Sequence, residues 1–355
     1  MDEENRGFEP ASENKTHGDT APVAAQPTGP KRKTSGWRIF WGVVIALSVI
    51  ANVVLFFMIV MMVSFAMSGP KLFDTRDGFT EEVLVRGPAN RKIAVIRMEG
   101  IIDSSQSDKF RKQLKAARLD ENVKAVIVRT ITPGGTVSAS DQMHNEIMNF
   151  RRQTGKPVVA FMQTVAASGG YYTSVACDKI IAEPTVITGS IGVIMNSLVI
   201  KELLEEKLGI QPVIIKSGPK KDWPSMFTET TQEQKDYLQE KLINPAYERF
   251  VNLVDQGREE LSAAQVRQLA DGSIYGADEA RENKLIDQVG YFEDAVQLTE
   301  QMAGIRGAKV VEYTRLLTIS ALLGAEAKAR PWEIDRNTLH ELTMPQLLYL
   351  WDGGW

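Results

Sequence analysis

An α/β domain with a mainly parallel sheet, set behind one membrane-spanning helix, is the architecture that this chain of 355 residues predicts. Three observations carry it. From Ile39 to Met67 there is no charged residue, and about 20 apolar residues suffice to cross a bilayer. From Lys92 onward, short apolar runs alternate with stretches of helical periodicity, the pattern of strands joined by crossover helices. Glycine-bearing stretches follow three of those runs, at Pro133-Gly134-Gly135, Ala166-Ala167-Ser168-Gly169-Gly170 and Lys216-Ser217-Gly218.

Residues 1–36 are polar and short of large apolar side chains, so they cannot bury enough surface to fold and are predicted to be a disordered cytoplasmic tail. They carry Lys31-Arg32-Lys33, with Arg38 close behind. Residues 37–67 are the predicted anchor, with Trp37 and Trp41 at the basic end and Asn52 as its one strongly polar interruption. Asp74, Glu81 and Glu82 follow it. The positive-inside rule then places the N-terminus in the cytoplasm and the rest of the chain on the far side. Ser64-Phe65-Ala66 loosely resembles a signal-peptide cleavage site, but the long leader and long apolar run favour an uncleaved anchor. Residues 68–91, with Gly69-Pro70 and Gly87-Pro88, read as a linker.

The globular domain is expected over 92–315. Strands are predicted at Lys92–Met98, Val123–Arg129, Val158–Met162, Asp178–Ala182, Pro212–Lys216, Lys284–Asp287 and Lys309–Tyr313. Val186–Ile194 reads as a strand or bulged segment, because Gly189-Ser190 and Gly192 interrupt it. Helices are predicted at Ser107–Ala117, Ser138–Phe150 (capped by Ser138 or Ser140), Leu198–Leu208, Thr231–Asp255 as one long element, Ser262–Ala270, Ala277–Asn283 and Phe292–Met302. Gly134-Gly135 reads as a turn. The tail 316–355 is poorly patterned and ends in an apolar patch, Met344 to Trp351, that needs a partner surface, either a neighbour or the substrate groove. No internal sequence repeat is found in the globular part.

Lys and Arg total 41 against 45 Asp and Glu, a net charge of −4, so no basic excess points to nucleic acid. The lone cysteine, Cys177, rules out an intrachain disulfide and cysteine-rich zinc motifs. His17, His144 and His340 show no metal-type pairing, and no metal or cofactor is expected.

Ser168, between a strand and a helix start, suits both a nucleophile and an oxyanion, since N–H groups at a helix N-terminus lack intrahelical partners. Gly169 N–H follows it directly, and Gly135 can bring a second N–H close to a substrate. Taken singly, Ser168 reads equally as a helix cap and Gly134-Gly135 as an ordinary turn. His144 is the only histidine placed to serve as base, and its plain reading is a helix packing residue. A lysine serves if burial disfavours its ammonium. Lys221 lies among Pro219, Trp223, Pro224 and Met226, and its plain reading is a solvated loop lysine.

Ala166-Ala167-Ser168-Gly169-Gly170-Tyr171-Tyr172, Thr188-Gly189-Ser190-Ile191-Gly192-Val193 and Lys216-Ser217-Gly218-Pro219-Lys220-Lys221-Asp222, in that order, resemble the signal peptide peptidase A family, serine proteases of the S49 type. The resemblance covers roughly Lys92 to Met302. It implies a ClpP/crotonase-like fold built of repeated ββα/βαβ units. It also implies a Ser–Lys dyad with Ser168 as nucleophile, Lys221 as general base, Ser190 as the hydroxyl orienting the lysine, and Gly135 and Gly169 as oxyanion donors. Lys220 adjoins Lys221, and the spacing from Ser217-Gly218 favours Lys221. Short family members further imply a ring-like homo-oligomer with the dyad completed between neighbouring protomers.

The resulting expectation is a single-pass protein of the bacterial cytoplasmic membrane that cleaves remnant signal peptides and other apolar, extended peptides. Three alternatives are weighed against it: a protease of misfolded or partner-delivered membrane proteins, a crotonase-like acyl-CoA enzyme, and a non-catalytic membrane scaffold. Extracytoplasmic placement argues against the acyl-CoA enzyme, and the complete Ser168, Ser190 and Lys221 set argues against the scaffold.

Overall fold

The computed structural model describes residues 36–68, 79–315 and 346–353. The predicted polar tail, the first part of the predicted linker and most of the C-terminal stretch lie outside them. Helix α1, Gly36–Ser68, forms a unit by itself. Its apolar part, Gly36–Met61, has 26 residues. At 1.5 Å per residue that is about 39 Å, more than the ~30 Å hydrocarbon core of a bilayer, which a spanning helix accommodates by tilting. The Asn52 amide donates to the Ser48 carbonyl at 2.8 Å, so this donor is satisfied within the helix.

The second unit begins with β1 (Phe79–Val85), β2 (Lys92–Glu99), α2 (Ser104–Leu119), β3 (Val123–Thr132), β4 (Gly134–Thr136), α3 (Val137–Thr154), β5 (Val158–Ala167) and α4 (Gly169–Ser174). It continues through β6 (Lys179–Ala182), β7 (Ile187–Gly189), β8 (Ile194–Asn196), α5 (Gln232–Leu238), α6 (Asn244–Gly257), α7 (Ala263–Leu269) and β9 (Ile274–Gly276). It ends with α8 (Ala277–Glu282), β10 (Gln288–Val289), α9 (Phe292–Met302), β11 (Lys309–Arg315) and β12 (Gln346–Leu350).

The main sheet has the order β1-β11-β2-β3-β5-β6-β10. All of these neighbours are parallel except β1 and β11. Past its pairing with β6, the long β5 pairs its C-terminal end with β7, which pairs with β9. Both faces are buried, which is why the central strands read as continuous apolar runs rather than alternating ones. Ala94, Ile96, Val126, Val128, Ala160 and Met162 meet the large core shared with α2, α3, α4 and α6. Their alternates Ile93, Val95, Ile127, Val159 and Phe161 meet Ala295 and Phe292 of α9.

Several sequence expectations are corrected. Phe79–Val85, read as linker, is an edge strand, pinned where the Lys92 ammonium meets Glu81 at 2.5 Å and Asp120 at 2.9 Å. Gly134-Gly135 is not a free turn but the start of β4. Thr136, not Ser138 or Ser140, caps α3, its hydroxyl accepting from Ala139 N–H. The long helix predicted from Thr231 is interrupted by a π-helical turn, Gln239–Ile243, just before Pro245, which has no N–H to give. Lys284–Asp287 is a turn, and the strand follows at Gln288. The helix expected over Leu198–Leu208 is present over 201–208, with a π-helical turn at Leu203–Lys207, whereas Pro212–Lys216 pairs with no strand among the described residues.

Candidate active site

Strand β5 delivers the chain to Ser168. Its last residues, Ala166 and Ala167, pair with Thr188 and Gly189 of β7, and Ser168 N–H donates to the Gly189 carbonyl at 2.8 Å. Ser168 itself has φ 51° and ψ −112°, and its hydroxyl does not cap α4. A serine held at positive φ is strained backbone, sustained only where its surroundings over-determine it. Those surroundings are tight. Every residue of α4 is buried, and Thr173 and Ser174 return their hydroxyls to the Gly169 and Gly170 carbonyls at 2.9 and 2.8 Å. The plain cap reading of Ser168 is therefore set aside. Ser190, one residue past the Gly189 that receives the Ser168 N–H, is also at positive φ, 49°, and 8% exposed. Its N–H donates to the Ser273 carbonyl at 2.7 Å.

The second wall is β4. Ile102 bridges Gly135 on one edge: Ile102 N–H donates to the Gly134 carbonyl and Thr136 N–H to the Ile102 carbonyl, both at 2.8 Å. Gly135 N–H is left for the other edge, where β12 lies antiparallel, Tyr349 opposite Gly135 and Leu350 opposite Gly134. Trp351 N–H donates to the Pro133 carbonyl at 2.8 Å. Antiparallel ladders alternate hydrogen-bonded and open pairs, so two residues back Tyr349 and Gly135 exchange bonds, with Gly135 N–H donating to the Tyr349 carbonyl. The crowding here excludes side chains. A Cβ on Gly134 would lie 2.0 Å from the Tyr349 carbonyl oxygen and 2.8 Å from Gly169 N, and one on Gly169 would lie 2.5 Å from Ser140 Oγ and 3.1 Å from that same carbonyl oxygen. Strand β12 is gripped on its other side by β8, also antiparallel, with Leu348 opposite Ile194. An extended peptide thus runs through a groove between β4 and β8, with its Tyr349 carbonyl beside the Gly135 and Gly169 backbone and next to Ser168.

His144 takes the packing role. It is 8% exposed, its ring 5.5 Å from that of Tyr172, and burial pushes its pKa down to about 4. Cys177 is buried, and burial pushes its thiol up, away from the reactive thiolate. His17 and His340 lie outside the described residues. The structure brings Ser168, Gly169, Ser190 and Gly135 into one region, and leaves the two lysines elsewhere. Both are exposed on the loop after residue 216. The Lys220 ammonium sits over the rings of Tyr237 and Trp223, at 4.3 and 5.2 Å from their centroids. Asp222 pairs with Lys216 at 2.7 Å, which holds its carboxyl below the usual range. Among the described residues nothing pairs with the Lys221 side chain. From the sequence, the apolar C-terminal patch either docks on a neighbour or lies in the substrate groove; β12 of that patch lies between β4 and β8.

Residues 150–306 match the model for peptidase family S49. A putative signal peptide peptidase SppA of Enterococcus faecium is 36% identical over 274 residues, covering 74% of this chain and 78% of that protein. The chain belongs to peptidase family S49. Two further relatives carry protease names. A putative protease of Methanocaldococcus jannaschii is 40% identical over 194 residues, covering 55% of this chain and 61% of that one. Protease 4 of Haemophilus influenzae is 35% identical over 228 residues, 62% of this chain but only 36% of that longer protein. Membership makes the chain a serine protease, in place of the acyl-CoA alternative.

Proposed function

We propose that this S49 protein is a membrane-anchored serine endopeptidase with a Ser168–Lys221 dyad, acting on remnant signal peptides and other apolar, extended peptides. The observation that carries the reading is the peptide carbonyl of Tyr349 lying beside the Gly135 and Gly169 backbone, next to the strained Ser168. Ser168 Oγ attacks such a carbonyl, and its negative oxygen is met by the two N–H groups. Lys221 takes the serine proton and returns it to the departing amine, and water then releases the acyl group. Ser190 orients the lysine.

A lysine works as a base only where burial disfavours its ammonium. The loop carrying Lys221 is exposed, and Val213, Ile215 and Leu198 around it are 83%, 95% and 70% exposed. A neighbouring protomer closing over this segment would bury those side chains and carry Lys221 to the partner's serine. The ring-like homo-oligomer implied by the family resemblance is one arrangement that would do this. Helix α1 crosses the bacterial cytoplasmic membrane with the N-terminus inside, which concentrates membrane-bound peptides near the groove. The ClpP/crotonase-like succession of ββα/βαβ units belongs to the same proposal, as does the signal-peptide substrate, which the name of the Enterococcus relative supports.

The test is complementation. Full-length Ser168→Ala and Lys221→Ala proteins, each inactive alone on a quenched signal-peptide substrate, are co-assembled in detergent. Mixed oligomers should regain a substantial fraction of wild-type activity, because some sites then combine an intact serine with an intact lysine. Proven co-assembly without recovery would overturn the shared site. Lys220→Ala should retain activity throughout.

A further inference from the structure

The turn that carries Lys221 is held from within. Lys221 N–H donates to the Gly218 carbonyl at 3.2 Å, and Trp223 N–H to the Lys220 carbonyl at 3.4 Å. The Lys216 ammonium reaches across the turn, donating to Asp222 Oδ1 at 2.7 Å and to the Pro219 carbonyl at 3.4 Å. On the other flank the rings of Trp223 and Tyr237 meet at 5.6 Å, and the Lys220 ammonium lies over both. Glu240 comes near enough to feel the Lys220 charge, but it is paired with Lys241 at 2.6 Å. Lys235 of α5 lines a cavity with Pro224. Both acids around the turn, Asp222 and Glu240, thus answer to a cation other than Lys221.

We propose that Lys216 is a positioning residue of the Ser168–Lys221 dyad: it engages the Asp222 carboxylate, so that the anion next in sequence to the base does not hold the base as an ammonium. The inference rests on the dyad reading above and adds how its lysine is kept usable. Taking the serine proton requires the uncharged amine. A carboxylate within about 4–6 Å favours the charged form, and two charges interact more strongly once a neighbour excludes water. An Asp222 paired with Lys216 adds no net charge beside the amine. A free Asp222 adds a full negative charge. Removing Asp222 instead leaves Lys216 as a bare cation, which acts in the opposite sense. Charge balance therefore orders the variants in a way that a purely mechanical clamp does not.

The test is the pH profile of kcat/KM for full-length protein in detergent on the quenched signal-peptide substrate, with assembly checked by light scattering. Lys216→Met should move the acid limb up by about one pH unit, read as about a tenfold loss below the limb. Asp222→Asn should move it down by a smaller step. The double variant Lys216→Met/Asp222→Asn should return close to the wild-type limb, and Lys216→Arg, which keeps the pair, should leave the limb in place. If Lys216→Met fails to assemble, the direction of the Asp222→Asn shift decides the question. Single variants that shift the limb the same way, or lower kcat/KM alike without moving it, would reduce the pair to a loop clamp and overturn the proposal. Lys221→Ala, inactive in the same assay, would show that the dyad itself still stands. An assembled and active Lys221→Ala protein would sink the dyad and this inference together.

Discussion

The turn that holds Ser168 and the segment that holds Lys221 are built in opposite ways. Around Ser168 every residue of α4 is buried, two serines are forced to positive φ, and glycines admit backbone where a Cβ would collide. Around Lys221 the chain has no sheet partner among the described residues, and it exposes isoleucines and valines that would ordinarily be inside. One region is finished within the protomer; the other has the composition of a core and no core to join. If the proposed dyad holds, a site divided this way has its geometry fixed in one half and ties catalysis to whatever covers the other.

That contrast can be broken at either end. The largest effect is expected from Ile215→Asp in the exposed segment. Hydrolysis should fall to background and the oligomer should dissociate, while the unfolding free energy of the protomer changes by no more than about 0.5 kcal/mol, as for other surface substitutions. Light scattering, calorimetry and a peptide assay on one preparation would check this. A large loss of protomer stability would mean that the segment is already packed. Next comes Gly135→Ala. The added Cβ would stand 2.0 Å from the Ile102 carbonyl oxygen, which is backbone and cannot swing aside. Displacing this N–H should cost about 10²–10³ in kcat, the usual loss for an oxyanion donor, with KM affected less. Full activity would remove Gly135 from the site.

The smallest effect is a pH dependence of the finished half. His144 titrates near 6.5 when unfolded and near 4 when folded. Between those values the unfolded chain binds the proton and the folded one does not. Stability is thus complete above pH 6.5, falls as pH drops towards 4, and loses roughly 3 kcal/mol in all. Urea unfolding at pH 7 and pH 4.5 should show the difference in the wild type and much less of it in His144→Leu. An equal loss in both would assign the acid sensitivity elsewhere.

The central strands β2, β3, β5 and β6 were legible because burial on both faces writes itself as an unbroken apolar run. Helices with their own caps, such as α9, were legible for the same local reason. What escaped depends on partners far along the chain. Thr80 meets Thr314 across 234 residues, so β1 looked like linker. Gly134-Gly135 becomes a strand only because Ile102 and Tyr349 flank it. Pro212–Lys216 shows the converse, strand composition without a strand beside it. At the site, the quoted motifs contain Ser168, Gly169 and Ser190, which adjacent strand ends bring together, while Gly135 is placed by Ile102 and Tyr349. The C-terminal patch was legible as a candidate occupant of the groove, but its pairing with both β4 and β8 is a product of tertiary packing.

Strands β4 and β8 are each three residues long. Were β12 to leave, both would offer open edges of backbone donors and acceptors, the kind of surface on which unfolded chains pair indiscriminately. Their brevity is the safeguard. Three residues give a passing chain too few ladder bonds to hold it by backbone alone, so lasting capture also requires a side chain seated in the floor of the groove. The same short edges that make the cleft able to grip any sequence keep it from becoming a nucleus for aggregation.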